Sequence, residues 1–289
     1  GSGPGAGFGL VSGALSLNPS LTTKNKTLPN LAGGPDVTTT YLTGPAGVVV
    51  NPFEPIYPKQ IDNVSVSGNV LRGVAFRGGT YTDLAGIIPL TSSPTTETST
   101  AHLSYNTAVF YPTQLWAPNY SNAVLGGATR LITFPAQFRS STPGAVDGTL
   151  RKFNSLNLQL FYLPSTWNSA GSPASVKAAG VSAAPNILGV TGTENGNQFD
   201  FRVTVVTEGS AGVQAVWILY TGKPGSTYHG TWAPLDLVRD PNDSKLWKGS
   251  LLLGPGEAAE DVLFMAQAVG GAGLRSEEHT SELQSPCNL

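Results

Sequence analysis

The sequence has few of the residues from which catalytic, metal and nucleic-acid sites are built. Its 289 residues include one cysteine, Cys287, one methionine and three histidines, and only 12% are charged. A single cysteine excludes an internal disulfide and a cysteine-ligated zinc site. The 16 basic and 18 acidic residues give a net charge of -2. Because phosphate binding needs clustered lysine and arginine, which form no run here, we expect no nucleic-acid partner.

Long apolar runs are also lacking. No stretch approaches the roughly 20 apolar residues of a membrane-spanning helix, so we expect no membrane insertion. The chain is instead rich in glycine, serine, threonine and asparagine, with 35 glycines. A composition that is poor in charge and free of disulfides is typical of bacterial extracellular proteins. We therefore expect an extracellular or cell-surface location.

The last fifteen residues differ from the rest of the chain. Residues 275–289 read RSEEHTSELQSPCNL, with three glutamates in eight residues after a glycine- and threonine-rich β pattern. The first eleven resemble the translation of a sequencing adapter, which implies that the natural sequence stops near Leu274 and that the parent is metagenomic. Such segments are excluded from fold reasoning. Without them, 15 basic residues balance 15 acidic ones.

Short β-branched and aromatic segments separated by turn residues predict an all-β protein. We expect a linker or a remnant of a preceding region over residues 1–37 and a β-rich domain of unknown family over residues 38–164. Its strands are predicted at residues 48–50, 61–66, 70–76, 103–110, 129–134 and 156–163. The small and polar residues 165–183 then predict an interdomain linker.

A tighter pattern fills residues 184–274. Residues 198–206 alternate apolar and polar side chains, which predicts a strand with one buried face. Further strands are expected at residues 184–191, 213–220, 232–238, 246–253 and 261–269. Turn signals such as Asn195-Gly196 and Gly254-Pro255-Gly256 separate them. Regular spacing without a helical period indicates a β-sandwich.

Three runs carry a family resemblance: VQAVWILYTG, TWAPLDLVRDPNDSKLWKGSLLL and VLFMAQAVGGAG. They resemble immunoglobulin-like or fibronectin-III-like modules of bacterial secreted and surface multidomain proteins. The resemblance covers residues 184–274. We expect two β-sandwich-like domains in series, and the resemblance implies that the second is immunoglobulin-like. It also implies that the final strand of this second domain is lacking, because the adapter-like segment follows Leu274.

No catalytic residues are predicted. His102 and His229 lie in different predicted domains, and neither has a nucleophile-elbow motif nearby. A Ser-His-Asp triad needs a histidine beside a nucleophile and an orienting acid. We therefore interpret both as structural or surface residues and expect the region to be non-enzymatic.

Two candidate binding sites remain, and each has a structural alternative. Tyr228 and Trp232 flank a glycine-containing turn and could stack on a sugar, provided that both rings are exposed side by side; core packing is the alternative. Asp240, Asn242 and Asp243 could supply oxygen ligands to a structural calcium ion, although the loop offers too few ligands alone and these residues are also turn formers. No other cofactor is expected.

The sequence thus predicts a non-catalytic spacer or interaction region for adhesion or domain presentation. Its partners would be other domains of the same polypeptide, with surface glycans or proteins as further partners. One alternative is an accessory region of a secreted hydrolase, such as a protease, with its catalytic domain outside this chain. The other is a carbohydrate-binding module.

Overall fold

The structure, a computed structural model, describes residues 3–29, 33–92, 105–120, 128–164, 184–207 and 211–278. The predicted linker at residues 165–183 therefore lies outside the described residues. The strands are β1 Val11–Leu17, β2 Thr22–Leu28, β3 Val37–Thr43, β4 Val48–Val49, β5 Tyr57–Pro58, β6 Gln60–Asn63, β7 Asn69–Phe76, β8 Gly79–Ile87, β9 Trp116–Asn119, β10 Arg130–Thr133, β11 Ala136–Ser140, β12 Gly148–Phe153, β13 Leu156–Pro164, β14 Asn186–Asn195, β15 Gln198–Val206, β16 Val213–Gly222, β17 Thr231–Asp236, β18 Val238–Arg239, β19 Leu246–Leu252, β20 Val262–Gly270 and β21 Arg275–Glu278. Short 3-10 helices lie at Pro4–Phe8 and Ala259–Asp261. The all-β, sandwich-like fold class is confirmed.

The chain forms two compact units that are interleaved in sequence. Unit 1 combines Gly1–Ser16, Ser65–Gly79 and Asn157–Leu289, whereas unit 2 combines Leu17–Val64 and Thr80–Leu156. This division differs from the expected one near residue 164. The difference arises from the antiparallel pairing of β7 with β13, which joins segments about ninety residues apart in the sequence.

Two facing antiparallel sheets form the sandwich of unit 1. One has the order β14-β15-β19-β18, and the other contains β17-β16-β20-β21 in that order. Alternate side chains of β15 point inward, as its alternating sequence predicts. They pack with side chains of β16, β19 and β20 in one core, which includes Phe201, Val203, Ile218, Trp247 and Ala266.

A third sheet, β1-β13-β7, belongs to the same unit. It meets the face of β16 and β20 that points away from the sandwich core. Gln267 Oε1 accepts a hydrogen bond from the Phe76 N–H (3.2 Å), and Trp217 Nε1 donates to the Phe76 carbonyl (3.1 Å). Both side chains are fully buried. The sheet containing β16 is consequently covered on both faces.

The segment after Leu274 forms a strand, so the expectation that the sandwich lacks its final strand is wrong for this chain. Strand β21 pairs with β20 in antiparallel register, from Val269 with Arg275 to Ala266 with Glu278. A ladder of backbone hydrogen bonds forms beside an open strand edge with little regard to side chains. Strand formation therefore leaves the origin of these residues untested.

Unit 2 is built from small antiparallel sheets. These are β6-β10-β9, β11-β12-β8 and the pairs β2-β3 and β4-β5. Its core contains Leu42, Tyr57, Phe138 and Leu150. Among the described residues, no helix has the length and apolar character needed to cross a membrane.

Two further expectations differ from the structure. Residues 1–37, predicted as a linker, contain β1 and β2, whose pairing with β13 and β3 has no local sequence signal. A strand was also predicted at residues 103–110, but residues 105–110 form none. There, side chains such as Tyr105 pack beside the core instead.

Candidate functional site: the loop end of unit 1

Three loops converge at one end of the sandwich in unit 1, and we call this region the loop end: residues 196–197, 223–230 and 253–258. Gly196 has a φ of 63° at the first position of the two-residue turn between β14 and β15, as in a type II′ turn. In the third loop, Gly256 has a φ of 80° after Pro255, and Glu257 N–H donates to the Gly254 carbonyl, as in a type II turn. The turns predicted at both positions are confirmed.

A clamp of hydrogen bonds joins the second loop to the third. Glu257 Oε2 accepts a hydrogen bond from Ser226 Oγ (2.7 Å), and Oε1 accepts one from the Thr227 N–H (2.8 Å). The Tyr228 hydroxyl accepts from the Gly254 N–H (2.9 Å). One carboxylate and one phenol therefore fix two loops that are about thirty residues apart in sequence.

Additional contacts hold Tyr228 in this position. Its hydroxyl donates to the Leu252 carbonyl (3.4 Å), and its N–H donates to Ser226 Oγ (3.1 Å). Its ring lies edge-on to Tyr220, with 5.7 Å between the ring centroids. The half-buried Tyr228 is therefore a structural member of the clamp.

The clamp depends on the charge of Glu257. Hydrogen bonds from Thr227, followed by that from Ser226, hold the pKa of the Glu257 carboxyl below its usual range. Hydrogen bonds to a carboxylate favour its ionised form because they stabilise the negative charge. Glu257 is consequently ionised, and the clamp is formed, at neutral pH.

The first and third loops line an open cleft of about 490 Å³. Its walls are residues 196–197 and 252–257, which supply backbone groups together with Leu252, Pro255 and Glu257. Leu252 is 62% exposed, which is high for a large apolar side chain. A cleft with an exposed leucine and rigid turns can take part in contacts with another molecule.

The exposed pair of rings required for sugar stacking is not formed. Trp232 is only 5% exposed, and its ring lies 6.4 Å from that of Phe76 in an edge-on arrangement. Tyr228 serves in the clamp. Packing against the third sheet of unit 1 buries the Trp232 ring, and this arrangement favours core packing, the structural alternative for this pair.

The predicted calcium ligands lie on one turn, where their oxygens have protein partners. Asp240 Oδ1 accepts from the Asn242 N–H (2.8 Å), Oδ2 pairs with Lys248, and Asp243 Oδ1 accepts from the Lys245 N–H (2.9 Å). The hydrogen bond from Lys248, followed by that from the Asn242 N–H, holds the pKa of Asp240 below its usual range. Within the described ranges, no three histidine, cysteine, aspartate or glutamate side chains gather in a group able to hold a metal ion. This arrangement favours a structural turn.

Of the two histidines considered in the sequence, His102 and His229, the structure describes His229 alone. His229 lies in the second loop, where its Nδ1 is 3.1 Å from the Gly222 carbonyl oxygen. His102 lies outside the described residues. The sequence did not indicate a role for Glu257, because its partners Ser226 and Thr227 lie too far away in sequence to give a local signal.

Comparisons with known proteins give likenesses to solved structures alone. No protein-family model matches the chain, and no curated protein matches it. Among solved structures, the chain is similar to a complex of Porphyromonas gingivalis RgpB pro- and mature domains. The identity is 13% and the TM-score 0.36, with 52% of this chain and 78% of that chain covered. At these values the likeness carries no functional argument.

Proposed function

We propose that this chain is a non-catalytic interaction and spacer region of a larger secreted or cell-surface bacterial protein. In this proposal, the loop end of unit 1 is its contact surface for other domains of the same polypeptide. The observation that carries the proposal is the clamp formed by Glu257 and Tyr228. These side chains fix the third loop, which forms one wall of the open cleft. A contact surface ordered in advance loses less conformational entropy on binding.

We further infer that unit 1 is an immunoglobulin-like sandwich. Its strand order supports this inference: β14-β15-β19-β18 corresponds to the ABED sheet of such domains, and β17-β16-β20-β21 corresponds to a C′CFG sheet. In this assignment the loop end holds the A–B, C–C′ and E–F loops. It lies at the end of the sandwich opposite the B–C, C′–C″ and F–G loops that form the binding site of variable domains. A contact surface at the loop end is therefore distinct from that binding site.

DNA sequencing first identifies the neighbouring domains, and binding measurements then test each of them as a partner. Long-read sequencing across the codon for Leu274 identifies the neighbouring domains. A neighbouring catalytic domain favours the accessory region of a secreted hydrolase, whereas further β modules alone favour the spacer. Each neighbouring domain is then expressed, and its affinity for this chain is measured by titration calorimetry.

Two matched variants make that titration specific. Leu252→Asp places a charge in the cleft, and Val238→Asp places the same charge on the same sheet outside it; the two side chains are 62% and 74% exposed. We expect Leu252→Asp to weaken binding at least about tenfold, the effect of about 1.4 kcal/mol. Val238→Asp should leave the affinity unchanged. Equal effects of the two variants, or no binding by any neighbouring domain, would contradict the proposal.

A further inference from the structure

Unit 2 contains a cluster of three tyrosines around one glutamate, separate from the loop end of unit 1. The ring centroids of Tyr57 and Tyr111 are 6.2 Å apart, and those of Tyr105 and Tyr111 are 6.0 Å apart. The Tyr111 hydroxyl donates to Glu54 Oε1 (2.8 Å). Tyr57 lies on β5, whereas Tyr105 and Tyr111 come from the segment before β9. We call these four residues the tyrosine cluster.

The Tyr57 hydroxyl lacks a hydrogen-bond partner in the described part of the chain. The side chain is 4% exposed, and its hydroxyl oxygen is buried. Buried polar atoms in native proteins almost always have a partner, so an unpartnered one requires an explanation. A ligand or a water molecule that occupies this position would supply one.

Glu54 gives the cluster a negative charge that no described salt bridge balances. Its Oε1 accepts from Tyr111, and its Oε2 accepts from Asn51 Nδ2 (2.9 Å), a neutral amide. Burial, followed by the proximity of Tyr111 and Glu54, raises the pKa of Tyr105 to about 12. Burial also raises the pKa of Tyr57. The phenols are therefore neutral at pH 7, and the half-buried carboxylate is the charged group of the cluster.

The backbone before Glu54 is held in an uncommon conformation. Phe53 has a φ of 65°, which a bulky side chain rarely adopts, and its side chain is 52% exposed. Its N–H donates to the Ser92 carbonyl (3.2 Å), and the Ser92 N–H donates to the Glu54 carbonyl (3.0 Å). Strained residues persist where surrounding contacts determine them, often at binding sites. Here those contacts fix the position of Glu54.

We propose that the tyrosine cluster binds an organic ammonium group. The Glu54 carboxylate supplies the counter-charge, and the Tyr57 hydroxyl accepts a hydrogen bond from the ammonium N–H. The faces of the tyrosine rings stabilise the cation through their quadrupoles. A lysine side chain of a polypeptide and a free primary amine share this chemistry.

The test is a titration of the full chain with n-butylammonium chloride, followed by NMR of the tyrosine rings. Sodium chloride at equal ionic strength and n-butanol, a neutral molecule of similar size, serve as controls. We expect saturable shifts of the cluster tyrosines with n-butylammonium alone. The proposal is overturned if n-butylammonium gives no saturable shift up to its solubility limit, or if either control gives the same shifts.

Variants separate binding from folding. Glu54→Gln should weaken binding at least about tenfold because it removes the charged partner, whereas Glu194→Gln, an exposed glutamate in unit 1, should not. Tyr57→Phe should also weaken binding while leaving the thermal midpoint unchanged or higher, because it deletes an unpartnered hydroxyl. Unchanged affinity in both Glu54→Gln and Tyr57→Phe would show that neither group contacts the ammonium and would refute the site.

A second ligand identifies the source of the ammonium group. Nα-acetyl-lysine N-methylamide carries the same amine on a peptide backbone. Binding tighter than that of n-butylammonium assigns the site to lysine in a polypeptide, and equal binding assigns it to a free amine. Nε-acetylation of the lysine derivative removes its charge and should abolish binding; retained binding would contradict the proposal.

Discussion

Replacement of Trp217 by phenylalanine isolates one buried hydrogen bond in unit 1. Trp217 is fully buried, and its Nε1 donates to the Phe76 carbonyl at 3.1 Å. Trp247 is a matched control in the same unit: it is 7% exposed, and its buried Nε1 lacks a partner among the described residues. Each indole lies 4.9 Å from a guanidinium carbon, that of Arg77 or Arg239 respectively.

The two variants are expected to differ in the free energy of unfolding, because the two indoles differ in whether Nε1 has a hydrogen-bond partner. Both replacements delete the same atoms and leave a space in the core, at a cost of about 1 kcal/mol or more each. Trp217→Phe also removes a donor from a buried carbonyl, which costs about 1–3 kcal/mol. Trp247→Phe instead deletes an unsatisfied N–H. We therefore expect Trp217→Phe to lower the free energy of unfolding by about 1–3 kcal/mol more than Trp247→Phe does.

Urea unfolding of the full chain, followed by far-ultraviolet circular dichroism, measures this difference without relying on tryptophan fluorescence. The unaltered chain is measured at the same pH and salt concentration. If Trp247→Phe costs as much as Trp217→Phe, the hydrogen bond between the third sheet and the sandwich contributes nothing. The assignment of the third sheet as a stabilising layer of unit 1 would then be refuted.

Three further predictions concern charge. Asp83→Asn should lower the free energy of unfolding by about 3–5 kcal/mol in a urea titration, because it removes the charged partner of the buried Arg151. The double variant Asp83→Leu, Arg151→Met should recover most of this loss, and failure to do so would contradict the prediction. Raising the pH above 10.0, the ordinary pKa of tyrosine, should destabilise unit 2. The phenols of the unfolded chain ionise there, whereas burial raises the pKa of Tyr57 and Tyr105 in the folded chain. Tyr57→Phe should reduce this loss in thermal melts at pH 9 to 11, and an unchanged loss would count against the burial of its hydroxyl. Lowering the pH below 4.5, the ordinary pKa of a glutamate carboxyl, should loosen the clamp, because the pKa of Glu257 is lowered in the folded chain. Faster amide exchange at residues 226–228 would report this loosening, and Glu257→Gln should remove its pH dependence.

The sequence was most informative where burial follows a local pattern. The alternation of residues 198–206 predicted β15, and its bounds are confirmed. The predicted strand at residues 213–220 is confirmed as β16, Val213–Gly222. Its nearly continuous run AVWILY is typical of a strand covered on both faces. The covering layer itself was not predicted, because β7 and β13 contribute to it from distant parts of the chain.

The candidate site was less predictable for the same reason. Glycine and proline indicated the turns at residues 196 and 254–256, because turn chemistry is local. Glu257 becomes part of the clamp only when the sandwich brings Ser226 and Thr227 to it. Burial of Trp232 likewise depends on Phe76 in the third sheet, more than 150 residues away in sequence. Long-range packing therefore decided both outcomes.

Hydrogen-exchange mass spectrometry tests the central claim, that the loop end of unit 1 contacts other domains of its own polypeptide. Exchange is compared between this chain alone and the same residues within a longer polypeptide that carries the neighbouring domains. We predict slower exchange at the amides of residues 252–257 in the longer polypeptide, and loss of that protection in Leu252→Asp but not in Val238→Asp. Identical exchange at these amides in the two polypeptides would contradict the proposed function.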